Sequence, residues 1–277
     1  MATAIMDSLT AHPEVLRLVV FIGLFAVLAL CEHRWPRRAL TVSKPRRWLA
    51  NLAIVGLDTL AARLLLPLAP FALAVQFDAR GWGLFNLFHL SGALELVSSL
   101  LLLDLLIYWQ HRLFHRKLLF WRLHRMHHTD LDLDVSSGTR FHPIEIILSL
   151  LIKMTAVALL GISPLAILLF EILLNATSMF SHANLRQPLA LDRWLRLVVV
   201  TPDMHRVHHS VIVRETNSNF GFNLPWWDRI FGSYTAQPQE GHDGMQIGLK
   251  EWRNQEELGL WPLLRIPFVP TPGRKTP

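Results

Sequence analysis

Apolar residues along this chain gather in long runs, and the runs have the lengths of membrane helices. Val15 to Leu30, extended to Pro13 and Cys31, is long enough to cross a hydrocarbon core, for which about 20 residues at about 1.5 Å each are needed. Arg17 interrupts this run and is expected to snorkel at its outer end. The run lacks a clustered basic n-region and an Ala-x-Ala-like cleavage site, so it reads as a retained helix. Trp48 to Val75 is a longer run broken by Asp58, Arg63, Pro67 and Pro70, which predicts one kinked span or a span followed by an interfacial stretch. Gly92 to Trp109 carries only Glu95 and Asp104 as charged residues and runs on as helix into a histidine pair. Ile144 to Leu160 and Leu165 to Ser178 flank Gly161-Ile-Ser-Pro164, a turn that predicts an antiparallel helical hairpin. From Leu185 the pattern turns polar, aromatic and proline-rich, predicting extramembrane chain, with Pro270 to Pro277 lacking any periodicity.

The predicted fold is therefore an all-α integral membrane bundle of four to five transmembrane helices with a helical cap on the cytoplasmic side. Three regions follow: residues 1–91, N-terminal membrane helices with a basic loop; 92–234, a catalytic domain; and 235–277, a cytoplasmic or interfacial tail. Composition agrees with this, since 52% of the 277 residues are hydrophobic and 17% charged. A net charge of +6 does not point to nucleic acid, because Arg34, Arg37, Arg38, Lys44, Arg46 and Arg47 lie together beside apolar runs. The positive-inside rule accounts for them: Gln76 to Ser91 holds only Arg80, and the first dozen residues hold no Lys or Arg, so the basic loop is cytoplasmic and the N-terminus opposite. Counting crossings from that loop, every histidine from His111 to His209 falls on one face, whereas His12 and His89 fall on the other.

The single cysteine, Cys31, excludes a disulfide framework and any zinc site built on several thiolates, while histidine is abundant at 14 residues. Three clusters stand out: His111 and His115; His124, His127 and His128; His205, His208 and His209. Spacings of three and four put each cluster on one helical face, aiming several imidazoles at one point. Asp104, seven residues before His111, shares that stripe and is expected to accept a ligand imidazole's N–H. A lone pair of histidines at helical spacing is more often structural than metal-binding. Three clusters on one membrane face, two of them with the same His-x-x-His-His order, point to metal. Eight imidazoles exceed a tetrahedral zinc site and suit two ions of higher coordination number, best two irons. The sequence contains neither the Glu-x-x-His pairs of carboxylate di-iron bundles nor the His-Glu-x-x-His of zinc proteases.

The runs Asp104 to His115, Trp121 to His128, Thr201 to His209 and Asn219 to Gly232 resemble the fatty acid hydroxylase and sterol desaturase superfamily over roughly Leu94 to Tyr234. That resemblance implies a di-iron site, dioxygen as cosubstrate, and hydroxylation of a C–H bond in a membrane lipid, fatty acyl chain or sterol-like substrate, with desaturation as the alternative outcome and a non-catalytic metal-binding protein as the remote one. It carries the eight clustered histidines over as ligands and adds His182, in Ser-His-Ala-Asn. Some members of the superfamily have another histidine four residues further on, where this chain has Arg186, which draws Asn184 into the candidate set. His142, in Arg-Phe-His-Pro, is expected to support the site rather than ligate. Asp58 and Arg63 are expected to be structural, and the Trp226 to Phe231 cluster to pack under the site. Gly259 to Phe268 is expected to lie at the membrane interface. The chain shows no flavin or nicotinamide fingerprint and no haem motif, so electrons are expected from a separate ferredoxin or cytochrome with its reductase.

Overall fold

The computed structural model describes residues 12–66 and 68–270. The first eleven residues, Pro67 and the tail from Thr271 lie outside that range, so the end of the expected unstructured tail and most of the N-terminal stretch without Lys or Arg are not described.

The architecture is all-α, with no strand among the described residues. In chain order the helices are α1 (Pro13–Arg34), α2 (Lys44–Leu65), α3 (Pro70–Asp78), α4 (Gly92–Arg116), α5 (Leu118–His128), α6 (Pro143–Leu160), α7 (Pro164–His182), α8 (Leu189–Leu195), α9 (Pro202–His208), α10 (Trp226–Ile230) and α11 (Leu260–Arg265), with shorter turns between them. Proline opens several of these helices, where its missing N–H costs nothing. Ser163 and Thr201 cap α7 and α9 by accepting from Ala166 N and Met204 N, each at 3.3 Å. Gly161 closes α6 in the left-handed region at φ 70°, a conformation that costs glycine no steric penalty. Among the described residues, five stretches are long and apolar enough to span a membrane: α1, Lys44–Asp78, α4, α6 and α7. Their outward faces are strongly exposed, with Leu18, Val19, Leu64, Leu94 and Leu159 all more than half exposed, as lipid contact requires. The protein is an integral membrane helical bundle.

Inside the bundle, Leu103, Ile107, Val157, Ile167 and Phe170 pack α4, α6 and α7 together. A second apolar cluster, with Ala50, Ile54, Met126, Trp252, Leu263 and Ile266, lies in the cap. The first turns of α2 thus belong to the cap rather than to a span, because the residues they face come from α5 and α11. This is also why Lys44–Leu65 is helical well before the apolar run begins.

The histidine-bearing ends of the helices lie together. Glu32, near the end of α1, accepts from Val135 N at 2.7 Å and Asn184 N at 2.8 Å. Arg47, in the first turn of α2, is fully buried and bonds Asp130 at 2.7 and 2.8 Å and Asp134 at 2.6 Å. At the far end of the bundle, Glu95 accepts from Ser163 N at 3.0 Å and Ser163 Oγ at 2.9 Å, tying the start of α4 to the hairpin turn. Three sequence expectations change in detail. Arg17 pairs with buried Glu171 at 2.8 Å instead of reaching only for the interface. Arg63, expected to be structural, is exposed and pairs with exposed Glu14. The Gly259 to Phe268 stretch exposes Trp261 and Phe268 but also clamps α5, with Arg122 donating to Pro267 O at 2.7 Å and Arg125 to Ile266 O and Val269 O.

Candidate metal centre

The expected histidines converge into two groups: His111, His115, His124, His128 and His208 in one, His127, His182, His205 and His209 in the other. Within each group the prospective ligand atoms lie within 4.8 Å of one another. The α4 stripe supplies His111 and His115, α5 divides its three between the groups, α7 ends on His182, and α9 with His209 just past its end supplies the rest. Division of α5 follows from helical geometry, because His124 and His128 share one face while His127 is turned about 100° away.

The tautomers of most of these rings are fixed by their surroundings. A carbonyl oxygen can only accept, so a ring nitrogen bonded to one must carry the proton. His111 Nδ1 donates to Phe220 O at 2.8 Å, His127 Nδ1 to Arg140 O at 3.0 Å, His182 Nδ1 to Ser178 O at 2.7 Å and His208 Nδ1 to Ser218 O at 2.7 Å. His124 Nδ1 meets Glu145 Oε1 at 2.7 Å. In each neutral ring the Nε2 lone pair is left pointing inward. His127 Nε2 and His182 Nε2 then face each other at 3.1 Å with no proton to share, and His111 and His124 Nε2 do the same when Glu145 is ionised. Two lone pairs at that distance repel unless a cation lies between them, and nitrogens about 2.1 Å from one ion sit roughly 3 Å apart. Buried His128 and half-buried His115 have no hydrogen-bond partner on either nitrogen, and His208 Nε2 has none. Leaving so many buried polar atoms unpaired is costly, and metal ligation would satisfy them. The residues present therefore fit two metal ions.

Burial pushes the α5 and α9 imidazoles below their ordinary range: His124 falls to about 3, while His127, His128, His205, His208 and His209 fall well below the usual value, with neighbouring imidazoles adding to the effect in those five. They stand neutral at pH 7, the form in which imidazole binds metal.

The remaining expected residues act at a distance from the imidazole nitrogens. Asp104 does not reach a histidine: its carboxylate accepts from Asn223 N and Leu224 N at 3.2 Å each and from Trp227 Nε1 at 2.8 Å. It pins the loop that presents the Phe220 carbonyl to His111. Asp228 works on the same loop, accepting from Phe220 N and Gly221 N at 2.8 Å each, and burial raises it to about 6. The Trp226 to Phe231 cluster is thus the packing block expected of it, with Phe231 against Tyr108 and Trp109. His142 caps α6 through Nδ1, accepting from Ile144 N at 3.2 Å, and donates Nε2–H to Leu264 O at 3.3 Å, so both nitrogens are occupied. Asn184 exchanges hydrogen bonds with the backbone of Arg38, joining the basic loop to the end of α7. His242, which had no expected role, lies buried 3.9 Å from Asp203.

Sequence reasoning missed Glu145 and the Asp130–Arg140 pair. Glu145 lies in the first turn of α6, where a carboxylate is ordinarily a helix-start residue, and only the fold brings it to His124. Burial would raise Asp130, but Arg47 and Arg140 hold it down to about 2, and through Arg140 this buried ion cluster orients the carbonyl behind His127.

The fold and the site together define a helical membrane protein with two histidine-built candidate metal sites between its bundle and its cap. The fatty acid hydroxylase family model matches residues 96–233, and the chain belongs to that family. The segment is similar to an ornithine lipid hydroxylase, OlsE, of Rhizobium tropici (32% identical, covering 53% of this chain and 44% of that protein). It is also similar to human alkylglycerol monooxygenase (28% identical, 52% and 31%) and human lathosterol oxidase (28% identical, 55% and 47%). The chain thus spans less than half the length of each of these relatives. No solved structure matches it.

Proposed function

We propose that this protein is a membrane-bound, dioxygen-dependent di-iron oxidoreductase that hydroxylates a C–H bond of a lipid. The observation that carries the reading is the convergence of nine imidazoles whose Nε2 lone pairs, where surroundings fix them, face one another without protons. Nitrogen-only ligation of two ions leaves open positions suited to dioxygen, and relatives named hydroxylase, monooxygenase and oxidase agree with oxidation of lipids. The irons, when bound, supply reduction of dioxygen and the oxidising power that C–H hydroxylation needs.

Within this reading His111, His115, His124, His128 and His208 hold one ion and His127, His182, His205 and His209 the other. Carbonyls of Phe220, Arg140, Ser178 and Ser218 keep four of these rings in the ligating tautomer. Phe141 stacked on His127 at 4.5 Å, and Phe220 and Phe222 each 5.5 Å from His111, exclude water from the site. Overall, one dioxygen atom enters the C–H bond and the other leaves as water with two electrons and two protons. We assign the electrons to a separate ferredoxin or cytochrome with its reductase. Arg34 to Arg47 lie at the histidine end of the bundle, and the positive-inside rule then supports a cytoplasmic site and C-terminus with the N-terminus opposite.

Measuring bound iron together with incorporation of oxygen from labelled dioxygen into lipid tests the proposal. Two irons per chain and a labelled hydroxyl are expected. Desaturated product without label would make the protein a desaturase, and tightly held zinc without oxygen uptake would leave a structural metal site.

A further inference from the structure

A cavity of about 480 Å3 opens between the basic loop and the chain just beyond α7, lined by Arg37, Arg186, Gln187, Pro188, Leu189 and Asp203. Two of these residues border prospective ligands: Arg186 follows His182 by four positions and Asp203 precedes His205 by two. Their charges are not equally available. Arg37 is shared between Asp203 at 3.3 Å and Asp243 at 2.5 Å, and Asp203 also pairs with Arg206. Arg186, by contrast, is exposed and its guanidinium makes no ion pair or hydrogen bond among the described residues. Next to it, Gln187 Oε1 is shielded from solvent and accepts nothing. The cavity therefore offers one uncommitted cation, one unpaired amide oxygen, and, at its rim, Leu189, which is 76% exposed.

A guanidinium binds phosphate or carboxylate through two parallel N–H donors, and a shielded amide oxygen calls for a neighbouring donor such as a hydroxyl, amide or ammonium. Leu189 and Pro188 suit the first methylenes of an acyl chain. We propose that this cavity is the headgroup site for an acidic polar lipid, whose anionic group Arg186 binds and whose chain leaves past Leu189. The inference rests on the reading of this protein as a lipid oxidoreductase and narrows its substrate class to lipids with an anionic headgroup, which a sterol lacks.

The test uses the full-length metal-loaded protein in neutral detergent, titrated with dioctanoyl phosphatidylglycerol, dioctanoylglycerol and inorganic phosphate, with iron measured in the same samples. The anionic lipid should bind roughly tenfold more tightly than the neutral one, Arg186→Ala should erase that preference, and Arg186→Lys should keep only the part owed to charge, with iron content unchanged in both. Equal binding of the two lipids, or a preference that survives Arg186→Ala, overturns the proposal. Inorganic phosphate binding as tightly as the lipid would make the cavity a free-anion site and equally overturn it. A wild-type protein that shows the lipid preference but holds no iron would refute the proposed oxidation while leaving the headgroup site standing.

Discussion

Replacing Glu145 by glutamine takes away the negative charge that a bound cation would draw out behind His124, and leaves an oxygen that can still accept from Nδ1. The contact is 2.7 Å and both side chains are buried, so neither solvent nor salt screens it appreciably. With the imidazole between them, carboxylate and ion would stand roughly 7 Å apart, and at an effective dielectric of about 20 their attraction is roughly 5 kcal/mol. Relaxation and the cost of burying the carboxylate reduce that ceiling, and losses of about 10- to 100-fold in metal affinity are usual when such a partner is changed. We expect Glu145→Gln to weaken one of two metal-binding events by about 10- to 100-fold and to spare the other, because the four-histidine group has no carboxylate behind its rings. Titrating the metal-free protein with cobalt(II) and following the visible absorption of each equivalent measures both events. Two unchanged affinities, or two equally weakened ones, would refute the argument. Glu145→Ala should in addition lower thermal stability, since it strands the His124 Nδ1–H, at a cost of about 1–3 kcal/mol.

Changing His127 or His208 to alanine should lower iron content and abolish turnover while membrane insertion, followed by fractionation, stays intact; unchanged iron in both variants would remove them from the ligand set. The metal-free protein should lose stability on acidification. The α5 and α9 imidazoles have folded-state values below the unfolded value of 6.5, so the unfolded chain takes up protons first and stability falls as pH drops through 6.5 toward about 3, by at most about 1.4 kcal/mol per pH unit for each group. A melting temperature that is flat between pH 7.5 and 5.5 would contradict this, and bound metal should blunt the loss. Gly138→Ala would put a Cβ 2.5 Å from Ser178 O, the oxygen that orients His182, so it should reduce metal content measured by elemental analysis. Full metal loading in that variant would show that His182 tolerates a displaced acceptor.

The parts of the fold and site legible in the sequence were those governed by local periodicity. Span lengths follow from hydropathy, and the His-x-x-His-His spacings bring each such cluster's imidazoles close together wherever the chain is helical, but they did not reveal that each of these clusters is divided between two groups. His182 stood out only through resemblance, since an isolated histidine at a helix end has no spacing partner. Glu145 and Arg140 stayed hidden because their roles depend on which helix ends meet in space, and no pattern within α6 or the 129–142 loop encodes that encounter. Asp104 was misjudged in detail for the same reason: its stripe on α4 is shared with His111, but the loop from Asn219 to Trp227 occupies the space between them and takes its hydrogen bonds.

The backbone oxygens that orient the imidazoles bear on how the protein is made. Ser218 and Phe220, whose carbonyls hold His208 and His111, come after the last ligand in sequence, and the acceptors for Arg122 and Arg125 come later still, at Ile266 to Val269. A growing polypeptide halted at His209 would already carry all its ligands, yet have no means of setting two of them. On the proposed reading, metal loading would be a late event in biogenesis, and chains truncated before the C-terminal segment should insert into the bilayer but stay empty.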